Sequence, residues 1–109
     1  MNKQLKDVAL TIGHNVGNVP TWSTESVCTT AAAVLGVDGL TAYTVHGVWQ
    51  GAREESTRLE ICGIDNAAEL LQRVEALATA LQQECIMCTV TDSQTQFISA
   101  TAAENTAVL

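Results

Sequence analysis

Twice along this chain, alternating apolar residues give way to apolar residues at helical spacing, and that repeat limits the fold more than any other feature. Val8, Leu10 and Ile12 alternate with Ala9 and Thr11, the period of a strand with one buried face. Val27, Cys28, Ala31, Val34 and Leu35 then share one side of a helix that should begin near Thr21 to Thr24 and end at Gly36. Further on, Ala67, Leu70, Leu71, Val74, Leu77, Ala78 and Leu81 keep the helical period for several turns. Asn66 stands in capping position to Glu69, and Glu69 and Arg73 form an i, i+4 pair.

Two strand-like runs lie between the helices, Leu40 to Trp49 and Thr57 to Ile64, joined by the polar, glycine-containing stretch Gln50 to Ser56, which predicts a hairpin. A last strand is expected over Cys85 to Thr91, resuming at Thr95 to Ile98. Gly13 to Pro20 is rich in Gly and Asn and reads as a loop longer than the ~4–6 residues usual in compact domains. The order strand–helix–strand–strand–helix–strand predicts an α+β fold of ferredoxin-like βαββαβ type: a four-stranded antiparallel sheet with two helices on one face. Residues 1–98 are expected to form one domain, and 99–109 a C-terminal tail that is frayed or pairs with a sheet edge. Because the second strand carries apolar residues on both faces, Tyr43, Val45 and Trp49 on one and Leu40, Ala42 and Val48 on the other, the uncovered side of the sheet is expected to be apolar and to drive homo-oligomer formation.

Charge narrows the partners. Twelve acidic against five basic residues give a net charge of −7, which leaves no basic footprint for nucleic acid and none for an anionic membrane. A basic protein surface is the macromolecular partner that such acidity suits. Neither a secretory apolar stretch near Met1 to Asp7 nor a run of ~18 apolar residues is present, so a cytoplasmic protein with reduced cysteines is expected.

Motifs for chemistry are sparse. Cys85-Ile86-Met87-Cys88 matches C-x-x-C, but residues three apart on a strand face opposite ways, and Cys28, Cys62, Cys85 and Cys88 read as buried structural thiols. His46, mid-strand, reads as packed, and Glu54 and Glu55 as a solvated charge run. No nucleophile elbow, phosphate loop or metal-ligand spacing appears, so no catalytic residue, metal or cofactor is assigned. What remains is a ligand-contact patch. Trp49, Arg53 and Arg58 of the hairpin, with His14, Asn15 and Trp22 of the long loop, combine indole and guanidinium groups that can hold a planar or anionic small molecule.

Asp38-Gly39-Leu40-Thr41, Gly47-x-Trp49 and Arg53-Glu54-Glu55-Ser56 with the apolar strand that follows resemble a family of small bacterial domains of unknown function related to the PII and CutA proteins. The resemblance spans most of Val8 to Val90 and implies a ferredoxin-like fold and a trimer with sheets packed inward. The chain departs from PII proteins in its short hairpin connection, in Tyr43 lying within a strand, and in having no lysine beyond Lys6. The resulting expectation is a non-enzymatic oligomeric binding or regulatory module with a small-ligand cleft between subunits. An acidic inhibitor or adaptor for a basic protein surface, encoded by a mobile element, is the alternative. A small enzyme using a loop histidine is the second alternative.

Overall fold

The computed structural model describes residues 4–100. Its elements are β1 (Lys6–Gly13), β2 (Asn15–Val16), β3 (Val19–Pro20), α1 (Thr24–Leu35), β4 (Thr41–Trp49), β5 (Ala52–Ile64), α2 (Ala67–Ala80) and β6 (Met87–Asp92). The main sheet has the order β4-β5-β1-β6 with every neighbour antiparallel, and α1 packs beside α2. This is the ferredoxin-like plan that the two strand–helix units imply.

The core follows from the strand alternation. Val8, Leu10 and Ile12 of β1 pair in register with Ile61, Leu59 and Thr57 of β5, and all six side chains are buried. Against that row the helices place Val27, Ala31 and Leu35 of α1 and Leu70, Val74 and Leu77 of α2. Both helices start on side-chain caps: Ser23 Oγ accepts from the Ser26 amide, and Asn66 Oδ1 accepts from the Glu69 amide. Arg73 bridges the helices, donating to Glu69 at 2.8 Å and to the Leu35 carbonyl, one of the last acceptors of α1, at 2.8 Å.

Several local expectations are corrected. Gln50–Ser56 is not a connection: only Gln50 and Gly51 turn, both with positive φ (50° and 83°), and β5 starts at Ala52. The strands therefore form a long two-stranded arm, paired out to Trp49 and Ala52, well past the end of β1, which stops opposite Ser56. The long loop contains the small β2–β3 hairpin. The last strand starts at Met87, so Cys85 precedes it, and no strand resumes at residues 95–98. Cys62, Cys85 and Cys88 are exposed rather than buried, and His46 is exposed on β4. Of the tail, residues 99 and 100 have no regular structure, and the remainder lies outside the described residues.

The uncovered sheet face also differs from expectation. Tyr43, Val45 and Trp49 do line β4 on that side, but the two central strands present Thr11, Ser56, Arg58 and Glu60 there. Arg58 donates to Thr11 Oγ1 at 3.0 Å across the β1–β5 pair. The face is thus apolar along its β4 edge and polar at its centre, because β5 carries Arg58 and Glu60 on the side its core residues avoid. Leu10 lies at the middle of the buried row with 0 % exposure, so Leu10→Ala should lower stability by about 2–5 kcal/mol. Urea unfolding at constant m-value is the measurement.

Candidate functional site

Where the β4–β5 arm runs past the end of β1, three segments surround a cleft of about 550 Å³: the arm, the β2–β3 loop, and the stretch Gln82–Cys85 between α2 and β6. That volume is in the range of small-molecule pockets. The cleft exists because β1 ends early while its partner strand continues, so the chain must turn away at Gly13 and leave the arm's flank open. Asn15, Trp49, Gln50, Arg53, Glu54, Gln83 and Glu84 supply its indole, amide and charged groups.

One wall is fixed with unusual care for an exposed hairpin. Glu54 projects from β5 opposite Gly47, and its carboxylate lies over the backbone of Gly13, within 2.6 Å of where a Cβ at that position would stand. The Asn15 amide donates to Glu54 Oε2 at 2.9 Å. The other oxygen, Oε1, has no hydrogen-bond partner among the described residues. Opposite, Gln83 Nε2 donates to the Asn15 carbonyl at 3.3 Å and to the Leu81 carbonyl at 3.1 Å, so the segment after α2 is tied to the loop that holds Glu54.

Of the residues expected to bind ligand, Asn15, Trp49 and Arg53 meet at this cleft. Trp49 is 53 % exposed, with its ring available on the arm. Arg58 lies on the sheet face outside the lining, bonded to Thr11, which itself lines the cleft. His14 and Trp22 turn the other way. The Trp22 indole N–H donates to the Leu81 carbonyl at 2.8 Å, and its ring packs against the core. His14 is 5 % exposed, and its Nε2 is 2.7 Å from Thr57 Oγ1, the start of a hydroxyl chain through Thr24 (2.9 Å) to Thr44 (2.6 Å). The His14 main chain joins the parts as well: its N–H donates to the Glu55 carbonyl, and its carbonyl accepts from the Thr21 and Trp22 amides. Neither residue lines the cleft. Glu54, whose run of charges in the sequence reads as solvated, is instead the most rigidly placed charge at the site. Nothing local distinguishes it from Glu55; only the contact with Gly13, on a distant strand, does.

No family model matches the sequence, and no curated protein matches it. Solved structures do. A phage SAM lyase in complex with S-methyl-5′-thioadenosine superposes with a TM-score of 0.69 at 18 % identity, covering 84 % of this chain and 84 % of that one. A DUF3240 family protein from Shewanella baltica superposes at 0.58 with 12 % identity, over 92 % of this chain and 100 % of its own. CutA from Synechococcus elongatus, complexed with Bis-Tris, gives 0.58 at 12 % identity over 96 % and 90 %. At these identities the likeness is one of fold, and at that level the resemblance to CutA-type domains of unknown function holds.

Burial lowers the pKa of His14, opposed by the negative charge of Glu55 and Glu54. A histidine that protonates more easily unfolded (about 6.5) than folded makes the unfolded chain the stronger proton binder just below neutrality. Its contribution to stability is therefore present above about pH 6.5 and is lost as the pH falls through that value towards the lower folded pKa. Urea midpoints should decline from pH 7.5 to pH 5. His14→Asn should flatten that decline while costing about 1 kcal/mol at pH 7.5 through the lost Thr57 bond.

Proposed function

We propose that the cleft receives an adenosyl sulfonium, S-adenosylmethionine in the first instance, and that the chain cleaves it to release S-methyl-5′-thioadenosine. The observation that carries this reading is the pairing of an exposed indole, Trp49, with a carboxylate, Glu54, held in place at the same cleft. An adenine ring stacks on an indole, and a sulfonium is drawn both to an aromatic face and to a carboxylate. Asn15 and the glutamines Gln50, Gln82 and Gln83 add donors and acceptors for the ribose hydroxyls and the amino-acid end. A net charge of −7 favours a cationic ligand over a phosphorylated one. The fold shared with a phage SAM lyase holding S-methyl-5′-thioadenosine supports the same ligand class.

The chemistry asks little of the protein. Breaking the bond between sulfur and the γ-carbon of the amino-acid chain passes the electron pair to sulfur, which leaves as a neutral thioether and needs no general acid. Closure of the substrate's own carboxylate onto that carbon forms a lactone as the C–S bond breaks and balances atoms and charge without water or a proton transfer. Orientation and a counter-charge are then what a site must supply. This reading departs from the non-enzymatic module expected from the sequence and keeps its small-ligand cleft.

We further propose that the working form is a homo-oligomer, a trimer by analogy with the CutA resemblance. The polar centre of the uncovered sheet face moves the support for assembly to the arm, where Val48 is 69 % exposed beside Trp49 and the cleft flank stands open. Sedimentation equilibrium should give three chain masses, and a single-chain mass at micromolar concentration would discard the assembly.

Incubation with S-adenosylmethionine should produce S-methyl-5′-thioadenosine above the no-protein rate by chromatography, and Glu54→Gln should cut that rate at least tenfold. Binding of S-adenosylmethionine without turnover would leave only the binding half of the proposal standing. Absence of both turnover and any thermal shift would end it.

A further inference from the structure

Glu54 differs from the other acidic residues of the arm in how it is held. Glu55 is exposed, with its carboxylate 4.0 Å from His14 Nδ1. Glu54 sits against a main-chain surface that exists only because residue 13 has no side chain, since its carboxylate atoms occupy the space a Cβ would claim. Gly13 has no positive φ and so needs no glycine for its own backbone conformation. Its bare backbone is explained by the carboxylate above it. The Asn15 amide then holds one oxygen, and Oε1 has no hydrogen-bond partner among the described residues. Locking a flexible glutamate at the rim of an open cleft costs side-chain entropy, which a solvated charge has no reason to give up.

Resting on the adenosyl reading of the cleft, we infer that Gly13 and the Asn15 amide form a seat fixing the Glu54 charge at the cleft wall, so that the site ranks adenosyl ligands by positive charge. It holds the sulfonium substrate and lets the neutral thioether go. The reaction itself removes the charge: once the C–S electron pair has passed to sulfur, the attraction to Glu54 is gone while the indole contact remains. Product release then follows from the loss of one ionic contact and needs no motion of the fold. Gly13 is a positioning residue here, and Glu54 touches the ligand.

The test uses two probes that cannot be cleaved in this way to the same product. Sinefungin carries a protonated amine where S-adenosylmethionine has its sulfonium; S-adenosylhomocysteine has an uncharged sulfur there. Titration calorimetry with the full chain at low ionic strength should show sinefungin binding at least tenfold tighter than S-adenosylhomocysteine. The ratio should fall to near one in Glu54→Gln and decrease at least threefold in Gly13→Ala, whose added methyl meets first the carboxylate end of the Glu54 side chain and so pushes it off its seat without unfolding the strand. Glu55→Gln, one residue away but outside the lining, should keep the wild-type ratio; a drop there equal to that in Glu54→Gln would reduce the effect to general charge and overturn the seat. Equal affinity for both probes in the wild type, or an unchanged ratio in Glu54→Gln, overturns the inference while leaving the adenosyl cleft intact. Binding of neither probe removes the adenosyl reading itself and this inference with it.

Discussion

Every part of the structure leans on β1, a strand hydrogen-bonded on both edges and covered by both helices on one face. Its register with β5 and β6 places Val8, Leu10 and Ile12 in a single buried row beside Leu59 and Ile61 of β5, and the two helices pack their apolar residues into that same core. A strand so constrained cannot shift by one residue without sending that row to the polar side. Its end is therefore fixed too. Gly13, His14 and Asn15, the residues at which the chain leaves the sheet, are placed by the core. They in turn place the loop, the start of α1 through the His14 carbonyl, and the carboxylate of Glu54.

How much of this could be read from the residues depended on whether the deciding interaction was local. The helices, their caps and the Glu69–Arg73 pair were legible because period and capping are short-range signals. The length of the arm was not. Arg53, Glu54 and Glu55 look like a loop because a strand extending beyond its sheet has no buried face to keep apolar, and the turn begins at Gln50, a residue type that seldom adopts positive φ. The cysteines misled in the opposite direction. Cys62 sits in an apolar strand pattern yet falls on the side away from the helices, a distinction that depends on which alternate set the helices cover.

The same division runs through the candidate site. Asn15, Trp49 and Arg53 were legible as residues of the right type near a long loop and a hairpin, and topology brings those two segments together. His14 and Trp22 had the right chemistry in the right loop, but β1 ends at Gly13 on its open phase, so the next residue, His14, takes the buried phase and reaches Thr57, and Trp22 follows it inward to reach Leu81. A loop that leaves a strand keeps the strand's alternation for its first residue, and that rule would have divided His14 from Asn15 in advance.

Glu54 is the harder case. Its identity, its neighbours and its exposed hairpin all describe a solvated charge, and the information that sets it apart sits forty-one positions earlier, in the missing side chain of Gly13. A glycine at the end of a strand is ordinarily read as punctuation for the turn that follows. Here the backbone does not require it, and the space it leaves is filled by a carboxylate from another strand. Two weak local signals, a glycine and a glutamate, become one specific feature only when the register of β1 against β5 is known. The core that sets that register is thus also what turns an unremarkable acidic residue into a fixed negative charge at the mouth of a cleft.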